Sequence, residues 1–364
     1  MSGSTLRFAK PATCSWRCWI SNPPSLAAGG DPVRSAPPRV PSPAAPPLDQ
    51  ALALARSKGA DEADLRIAAE HYQRLFVPDE AVLTAGARAD YFEPDGKTAA
   101  PAIAERVRLA LIDGTPLYLV RVGNGEGNAV SMLEQPVEEA VFQGFDFEFV
   151  SQNGAPIDVG EAVALSRLVV DAIKDADIQG YRIGHFDEDA LIRGCLSKAE
   201  LSPVFGLIHA RALFAAQLGQ AATNGTWFTS AWIHLDLIDH LDSLLECAPR
   251  VFVVTGRPEL EGKFLDRLGP RLGGFMSVPV QGYVPRSRTD SHFGLFESFL
   301  ARLQQEDLAG ALVLVGAGLF GKVYCQAAKR KGAIAIDMGS AFDLLAGVAT
   351  RPVHRPIPLA NVRW

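Results

Sequence analysis

The sequence predicts an α/β protein in which a Rossmann-like parallel sheet is covered by helices on both faces. Short apolar segments of strand length alternate with segments whose apolar residues recur at helical spacing. The clearest strand, at residues 250–255, contains the run VFVV, as expected of a strand that is buried on both faces. Two other strands, at residues 117–122 and 311–315, run directly into glycine-rich loops. Strands that alternate with helices in this way are typical of a parallel sheet.

Composition narrows the class of protein before any motif is considered. The chain has 364 residues, of which 48% are hydrophobic, and its formal net charge is −6. An acidic chain of this kind is not expected to bind nucleic acid, and no apolar run is long enough to cross a bilayer. The five cysteines are scattered, which favours a reducing compartment over a disulfide framework. We therefore expect a cytoplasmic protein without a transmembrane segment.

Four segments differ in composition. Residues 1–47 are rich in proline, alanine and serine, which predicts a disordered tail because such a segment has little apolar surface to bury. Residues 48–102 are predicted to form a helical N-terminal extension, with Asp61 as the cap of one helix. Residues 103–350 hold all the predicted strands and are predicted to form the main domain. Residues 351–364 are predicted to be a C-terminal tail.

Within the main domain, apolar residues spaced three and four apart mark the helices, and short apolar runs mark the strands. Predicted helices cover residues 103–112, 159–176, 205–218, 233–245, 292–303 and 320–331. Predicted strands cover residues 117–122, 178–183, 250–255, 274–280, 311–315 and 333–336. A further helix is predicted to begin near Gly127.

The first glycine loop places two oxygen-bearing side chains at the end of a strand. Asn124 and Glu126 lie two residues apart, next to Gly123 and Gly125. In an extended segment such residues point the same way, and oxygen ligands on one side of a strand end suit a hard divalent cation. The alternative is a glycine-rich turn with solvated polar residues.

The second glycine loop has the spacing of a dinucleotide-binding fingerprint. Gly316, Gly318 and Gly321 form GxGxxG between a strand and a helix, and Asp337 ends the next strand. The chain ends 27 residues after Asp337, which is too short for the rest of a dinucleotide fold built from this point. Lys322 adds a charge that could meet a phosphate. Close packing of the helix on the sheet is the alternative explanation of these glycines.

Three segments resemble the GT-D-type glycosyltransferases, a Rossmann-like family first catalogued as a bacterial domain of unknown function. YLVRVGNGEG is similar to the strand and DxE motif of that family, and VFVVTGRPEL is similar to its central strand. LVGAGLFGKVYCQAAKRKGAIAIDMGSAFDLLAG is similar to its closing segment, which has a glycine loop, a lysine and a strand ending in Asp-x-Gly. The motifs occur in the family's order over roughly residues 103–347.

The resemblance implies transfer of a sugar from a nucleotide-diphosphate donor to an acceptor, in polysaccharide or glycoconjugate synthesis. It also implies a divalent metal, Mn²⁺ or Mg²⁺, at the DxE positions, which are Asn124 and Glu126 in this chain. An amide oxygen can ligate a hard cation but brings no charge, so Asn124 predicts weaker metal binding than the family's aspartate. The residues predicted to bind the donor are Arg121, Gly123, Gly125, Gly316, Gly318, Gly321, Lys322 and Asp337.

Sugar transfer also needs groups that neutralise the leaving diphosphate. Arg121 and Lys322 lie at or near strand ends and are candidates for this role. Arg257 is a third candidate, although a surface position on a loop is the stronger explanation for it.

An inverting transfer would need a general base beside the acceptor hydroxyl. Asp187 is the best candidate, because it follows the strand predicted at residues 178–183, where open α/β sheets bind their ligands. His185 and Asp189 flank it, and Glu126 is the other carboxylate with a predicted catalytic role.

Four more residues carry side chains that could contribute to the site. His234 and Asp236 lie on an apolar helix and are predicted to be hydrogen-bonded packing residues. Trp227 and Trp232 could stack on a sugar or a base, and packing in the core explains them equally well.

Two other functions stay open on the sequence alone. A dehydrogenase would use GxGxxG to bind NAD, and a non-catalytic homologue would bind a nucleotide sugar without transferring it. Binding of NADH or of a nucleotide sugar distinguishes the dehydrogenase from the transferase.

Overall fold

The computed structural model describes residues 52–53, 56–57, 59, 61–71, 100–134, 158–181, 206–207, 209–217, 225–279, 288–351, 354 and 357. Within these residues the predicted α/β fold with a parallel sheet is confirmed. Residues 1–47 lie outside the described part of the chain, so the prediction of a disordered tail stays a prediction.

Seven parallel strands form one sheet in the order β3-β2-β1-β7-β6-β4-β5. The strands are β1 Leu117–Val122, β2 Ile178–Tyr181, β3 Trp227–Ser230, β4 Val251–Thr255, β5 Leu272–Ser277, β6 Leu312–Gly316 and β7 Ile334–Asp337. The last strand, β7, lies between β1 and β6, with Leu119 opposite Ile336 on one side and Leu314 opposite Ile336 on the other. Because all pairs are parallel, the carboxyl ends of the strands meet at one edge of the sheet.

Helices cover both faces of the sheet. The α-helices are α1 Glu62–His71, α2 Ala100–Asp113, α3 Asn124–Glu134, α4 Val159–Lys174, α5 Ile233–Asp236, α6 Leu241–Cys247, α7 Leu260–Leu268, α8 His292–Gln305, α9 Gly321–Arg330 and α10 Ala341–Leu345. Short 3₁₀ helices cover Leu237–His240, Gly269–Arg271, Arg288–Asp290 and Gly318–Phe320. Residues 209–217 are also helical. None of the helices in the described residues combines the length and apolar character needed to cross a membrane.

Alternate residues of the strands feed two separate apolar cores. Tyr118 and Val120 of β1 pack on one face with α3, α4, α8, α9 and the helix at residues 209–217. Leu117 and Leu119 pack on the other face with α2, α5, α6, α7 and α10. This division follows from the two-residue side-chain period of a strand, and it explains why the strands read as continuous apolar runs.

Side-chain caps fix where several helices begin. Asp158 accepts a hydrogen bond from the Glu161 backbone N–H at 2.8 Å, and the Glu161 carboxylate accepts one from the Asp158 N–H at 3.0 Å, so α4 starts with a capping box. The Asp61 carboxylate accepts from the Ala63 N–H at 2.8 Å, which confirms Asp61 as a cap of α1.

Apart from shifted ends, such as those of β5 at Leu272–Ser277 against the predicted 274–280, two elements differ from the sequence prediction. The helix predicted at residues 233–245 is broken into α5, a 3₁₀ helix and α6, although this stretch contains neither glycine nor proline. Strand β3 was not predicted, because its four residues WFTS are too few to show an alternation. Thr229 and Ser230 are buried there, since the strand is covered on both faces.

A charged cluster at the carboxyl edge of the sheet

Four charged side chains meet where β1, β7 and the helix after β6 reach the same edge. Arg121 lies near the end of β1, Asp337 ends β7, Glu126 lies in the first turn of α3, and Lys322 lies at the start of α9. Arg121 and Asp337 are 216 residues apart in sequence, yet the guanidinium and the carboxylate are joined by an ion pair of 3.5 Å. We call these four residues the charged cluster. Its two cations and two carboxylates balance.

Lys322 lies at the centre of the cluster. Its Nζ is paired with Glu126 Oε1 and with Asp337 Oδ2, the latter at 3.0 Å, and it donates to the Gly318 carbonyl at 3.2 Å. Burial alone would lower the pKa of Lys322, but the neighbouring carboxylates of Asp337 and Glu126 raise it above its ordinary value. The side chain is only 2% exposed. Its charge is therefore neutralised by carboxylates within the protein and does not face an open phosphate site.

Asp337 is fully buried and hydrogen-bonded on both oxygens. Oδ2 receives the Lys322 ammonium and the Arg121 backbone N–H at 3.4 Å, while Oδ1 accepts from the Gly339 N–H at 3.1 Å. Burial would raise the pKa of this carboxyl, but Arg121 and Lys322 hold it below the ordinary value. Asp337 is therefore a charged anchor for the two cations.

With the Glu126 side chain at 12% exposure, Arg121 is by a small margin the most exposed member of the charged cluster. Its side chain is 15% exposed, and its Nε donates to the Asp337 carbonyl at 3.1 Å. Gly339 has a φ of +42°, and a Cβ on it would overlap Arg121 Nη2. The glycine of the Asp-x-Gly segment therefore leaves the space that the guanidinium occupies.

His234 packs against Arg121 from the far side. The imidazole is fully buried, and Arg121 Nη1 lies 3.2 Å from its Nδ1 and 3.3 Å from its Nε2. Burial, and then the Arg121 charge, keep the pKa of His234 well below its ordinary value. The prediction that His234 is a hydrogen-bonded packing residue is confirmed, and its packing partner is a residue of the charged cluster.

The first glycine loop is shorter than predicted, and this corrects the geometry of Asn124 and Glu126. Helix α3 begins at Asn124, three residues before the predicted start, so the two residues lie in a helical turn. Successive helical residues are turned by about 100°, so side chains two apart point to nearly opposite sides. The expectation that the two residues lie in an extended segment is wrong, whereas the metal site itself stays a prediction.

Glu126 instead closes the start of its own helix. Its Oε2 accepts the Gly123 backbone N–H at 2.8 Å, and its Oε1 receives Lys322. Gly125 lies in the same turn. Both carboxylate oxygens therefore have partners, and the described residues contain no group of three or more His, Cys, Asp or Glu that could hold a metal ion.

The glycines of the second loop serve backbone geometry and packing. A Cβ on Gly316 would overlap the Phe342 ring, Gly318 has a φ of +55°, and a Cβ on Gly321 would press on Val315 at 3.3 Å. Because these positions are explained by contacts within the protein, the packing interpretation is the better supported one.

Asp187, with its neighbours His185 and Asp189, lies outside the described residues. Arg257, at the end of β4, donates to Asp343 at 2.7 Å and is not part of the charged cluster.

The two tryptophans lie at opposite ends of β3. Trp227 begins the strand, at the edge away from the cluster, and the Arg106 guanidinium covers its ring at 4.4 Å. Trp232 follows the strand at the carboxyl edge, with its ring 6.2 Å from that of His234.

Comparison with known proteins identifies the family. The model of the GT-D fold-like domain matches residues 98–345, and no curated protein matches the sequence. Two solved structures are similar to this chain. One is described as the selenomethionine-substituted structure of domain of unknown function 1792. The other is described as showing that the highly conserved domain of unknown function 1792 has a distinct glycosyltransferase fold. They are 14% and 12% identical, each with a TM-score of 0.35 over 68% of this chain and 86% of that chain. Because the family model matches well over half of the residues of this chain, the chain belongs to the GT-D fold-like domain family.

Proposed function

We propose that this chain is a glycosyltransferase that takes a sugar from a nucleotide-diphosphate donor. Membership of the GT-D fold-like family supports this reaction class. The observation that carries the proposal is the position of Arg121, whose side chain is 15% exposed and lies at the carboxyl edge of the central strands beside the start of α3. Open α/β sheets bind ligands outside this edge, and a helix N-terminus favours an anion.

Arg121 is our candidate for the group that meets the donor diphosphate. A guanidinium presents a planar fork of donors that suits phosphate oxygens. As the glycosidic bond breaks, negative charge grows on the leaving diphosphate, and Arg121 together with the backbone N–H groups of the first turn of α3 would stabilise it. Lys322 is too buried for direct contact, so its role is to hold Glu126 and Asp337 in place.

The acceptor side of the site rests on two carboxylates. Glu126 reaches the same edge as Arg121, and its contacts with Gly123 and Lys322 fix its orientation. Asp187 remains our proposed general base, because it follows β2, which pairs directly with β1. A polysaccharide or glycoconjugate acceptor rests on the resemblance alone.

The divalent metal implied by the family does not fit the described residues. The oxygens of Glu126 already have partners, and the ammonium of Lys322 lies where a cation would approach that carboxylate. Asn124 lies two residues before Glu126 in a helical turn, so we expect its side chain to point away from that of Glu126. We therefore assign the neutralisation of the leaving diphosphate to Arg121 and the α3 backbone, without a contribution from a metal ion.

A dehydrogenase is less well supported. In a dinucleotide site the acidic residue about 20 positions after the first glycine binds the ribose. Asp337 is instead fully buried and held by Lys322 and Arg121. A non-catalytic binding protein would share the site and is separated from the transferase only by turnover.

Calorimetric titration with UDP- and GDP-sugars and with NADH tests the proposal. We expect the wild type to bind a nucleotide sugar and not NADH, and Arg121→Gln to lower the affinity at least about tenfold, as for a lost charge-assisted hydrogen bond. Arg257→Gln is the matched control, because its side chain is 18% exposed against 15% for Arg121 and is also ion-paired at the same edge. Binding of NADH alone, or equal losses in both variants, would contradict the proposal.

The same titrations in the presence and absence of Mn²⁺ test whether a metal takes part. If Glu126 ligates a metal, Glu126→Ala abolishes the effect of Mn²⁺ and Asn124→Asp enlarges it, since ligand charge helps to set the affinity for hard cations. Because both Glu126 oxygens are already occupied within the protein, we expect neither variant to change the response to Mn²⁺.

A further inference from the structure

A series of contacts leads from His354 to the charged cluster. His354 lies beyond residue 345, where the family match ends, and its side chain is buried. Its Nε2 is 3.1 Å from the Ser340 hydroxyl, which lies 3.3 Å from Nε2 of His234. His234 in turn contacts Arg121. Residue 354 was predicted to belong to a C-terminal tail, whereas its side chain packs beside the strand ends.

The hydrogen bonds between His354, Ser340 and His234 are consistent with one arrangement of protons. The Arg351 backbone N–H donates to Nδ1 of His354 at 3.4 Å, so the proton of His354 lies on Nε2 and is donated to Ser340. The Ser340 hydroxyl then donates to Nε2 of His234, whose Nδ1 proton goes to the Ala231 carbonyl at 3.0 Å. Both imidazoles are neutral in this arrangement, as expected for rings buried near a guanidinium.

The position of the Arg121 side chain depends on the imidazole of His234, which these hydrogen bonds orient. Nη1 is nearly equidistant from the two nitrogens of His234, so it lies along neither in-plane lone pair and packs against the ring. Nε of Arg121 is held by the Asp337 carbonyl at 3.1 Å, but the other contacts of the terminal nitrogens are long: Nη1 is 3.4 Å from the Ala231 carbonyl and Nη2 is 3.5 Å from Asp337 Oδ1. Long hydrogen bonds restrain weakly, so a shift of the imidazole would let the guanidinium move.

We propose that His354 is a positioning residue of the donor site, although it lies beyond the residues that the family model matches. Through Ser340 and His234, His354 holds Arg121 in the orientation that meets the donor diphosphate. This inference rests on the proposed function for its ligand, but the restraint on Arg121 exists without any ligand. It can therefore be measured in two independent ways.

The first measurement is donor affinity in the full chain, titrated with UDP- and GDP-sugars. His354→Ala should weaken binding about three- to tenfold, the effect of losing one ordinary hydrogen bond, with kcat changed less than KM. His354→Gln should restore binding, because its side-chain N–H can donate to Ser340 in place of the imidazole. His240→Ala is the matched control, since His240 lies on the neighbouring 3₁₀ helix and makes no side-chain cap contact.

The second measurement is amide hydrogen exchange without ligand. The N–H groups of Gly339 and Arg121 both donate to the Asp337 carboxylate, so a looser Arg121 should speed their exchange in His354→Ala and not in His354→Gln. Unchanged exchange, or unchanged donor affinity in a wild type that binds donor, would overturn the proposal. If the wild type binds no nucleotide sugar, the proposed function fails, and the exchange rates alone decide whether His354 holds Arg121.

Discussion

Replacing Lys322 with methionine should destabilise the domain strongly, because Glu126 and Asp337 would lose the cation between them. The ammonium lies 3.0 Å from Asp337, and the side chain is almost fully buried. Removing one partner of a buried ion pair costs about 3–5 kcal/mol. At about 2–4 °C per kcal/mol for a domain of this size, the Tm should fall by roughly 6–20 °C. The sequence alone predicted that Lys322 binds the donor, and the burial of its side chain changes that expectation to a role in stability.

The loss of stability should depend on pH in a defined direction. In the wild type the pKa of Asp337 lies below the ordinary value of 3.8, so its contribution is present above that value and disappears as the pH falls through the folded-state pKa. Without Lys322 the pKa of Asp337 rises, because one of the two cations that hold it down is lost, and protonation of this carboxyl removes the unpaired charge at low pH. The Tm difference between wild type and variant should therefore be largest near neutral pH and shrink toward about pH 4.

Thermal unfolding followed by circular dichroism across this pH range measures both effects. The double variant Lys322→Met/Glu126→Gln should regain part of the stability, because one unpaired charge is removed. Lys329→Met on the same helix is the control: Lys329 is 24% exposed and 2.9 Å from Asp177, so its loss should cost at most about 1 kcal/mol. If Lys322→Met costs no more than this control, or costs the same at every pH, the buried cluster does not stabilise the fold.

Three further changes test other parts of the structure. Gly339→Ala should abolish donor binding in a calorimetric titration, because the new methyl group occupies the space of the Arg121 guanidinium. Gly127→Ala should lower the Tm by several degrees, at about 1–3 kcal/mol for overpacking, since a Cβ there overlaps the Gly206 carbonyl of the neighbouring helical segment. Deletion of residues 1–47 should leave both Tm and donor affinity unchanged, because that segment has little apolar surface to bury.

Gly262→Ala controls for the two glycine substitutions. Gly262 lies in α7, and a Cβ there would meet no atom within 4 Å, so the variant should keep its Tm or gain slightly through helix propensity. If the Gly339→Ala variant binds donor with the same affinity as the Gly262→Ala variant, the close approach of Gly339 to the guanidinium does not hold Arg121 in place. A Tm loss on deletion of residues 1–47 would show that the segment packs on the domain.

Apolar runs made the architecture predictable, whereas tertiary contacts decided the site. Strands such as β4 and β6 are buried on both faces, so their composition reports their position directly. The start of α3 could not be read in the same way, because the NGEG segment fits a loop as well as a helical turn. Its helical form depends on Glu126 capping Gly123 and on contact with Lys322, which is far away in sequence.

The residues that complete the site left weak local signals. Arg121, Lys322 and Asp337 were found from their strand ends and from the family resemblance, but their mutual pairing depends on the strand order. Ser340 matched no recognisable pattern, and His354 lay in a segment predicted to be a tail. Only the placement of β7 beside β1 brings the turn with Ser340 against the helix with His234.

The central position of β7 has a consequence for how the chain is synthesised and folded. In the finished sheet β7 separates two sets of strands, β3-β2-β1 and β6-β4-β5. Before residues 334–337 leave the ribosome, these two sets could pair only within themselves, and each would have an open edge where β7 later inserts. Unpaired strand edges are prone to pair with other chains, and late long-range pairing is slow. A nascent chain that stalls before β7 would therefore expose two unpaired strand edges at once. Such a chain would depend on chaperones for longer than a chain whose last strand is added at the edge of the sheet.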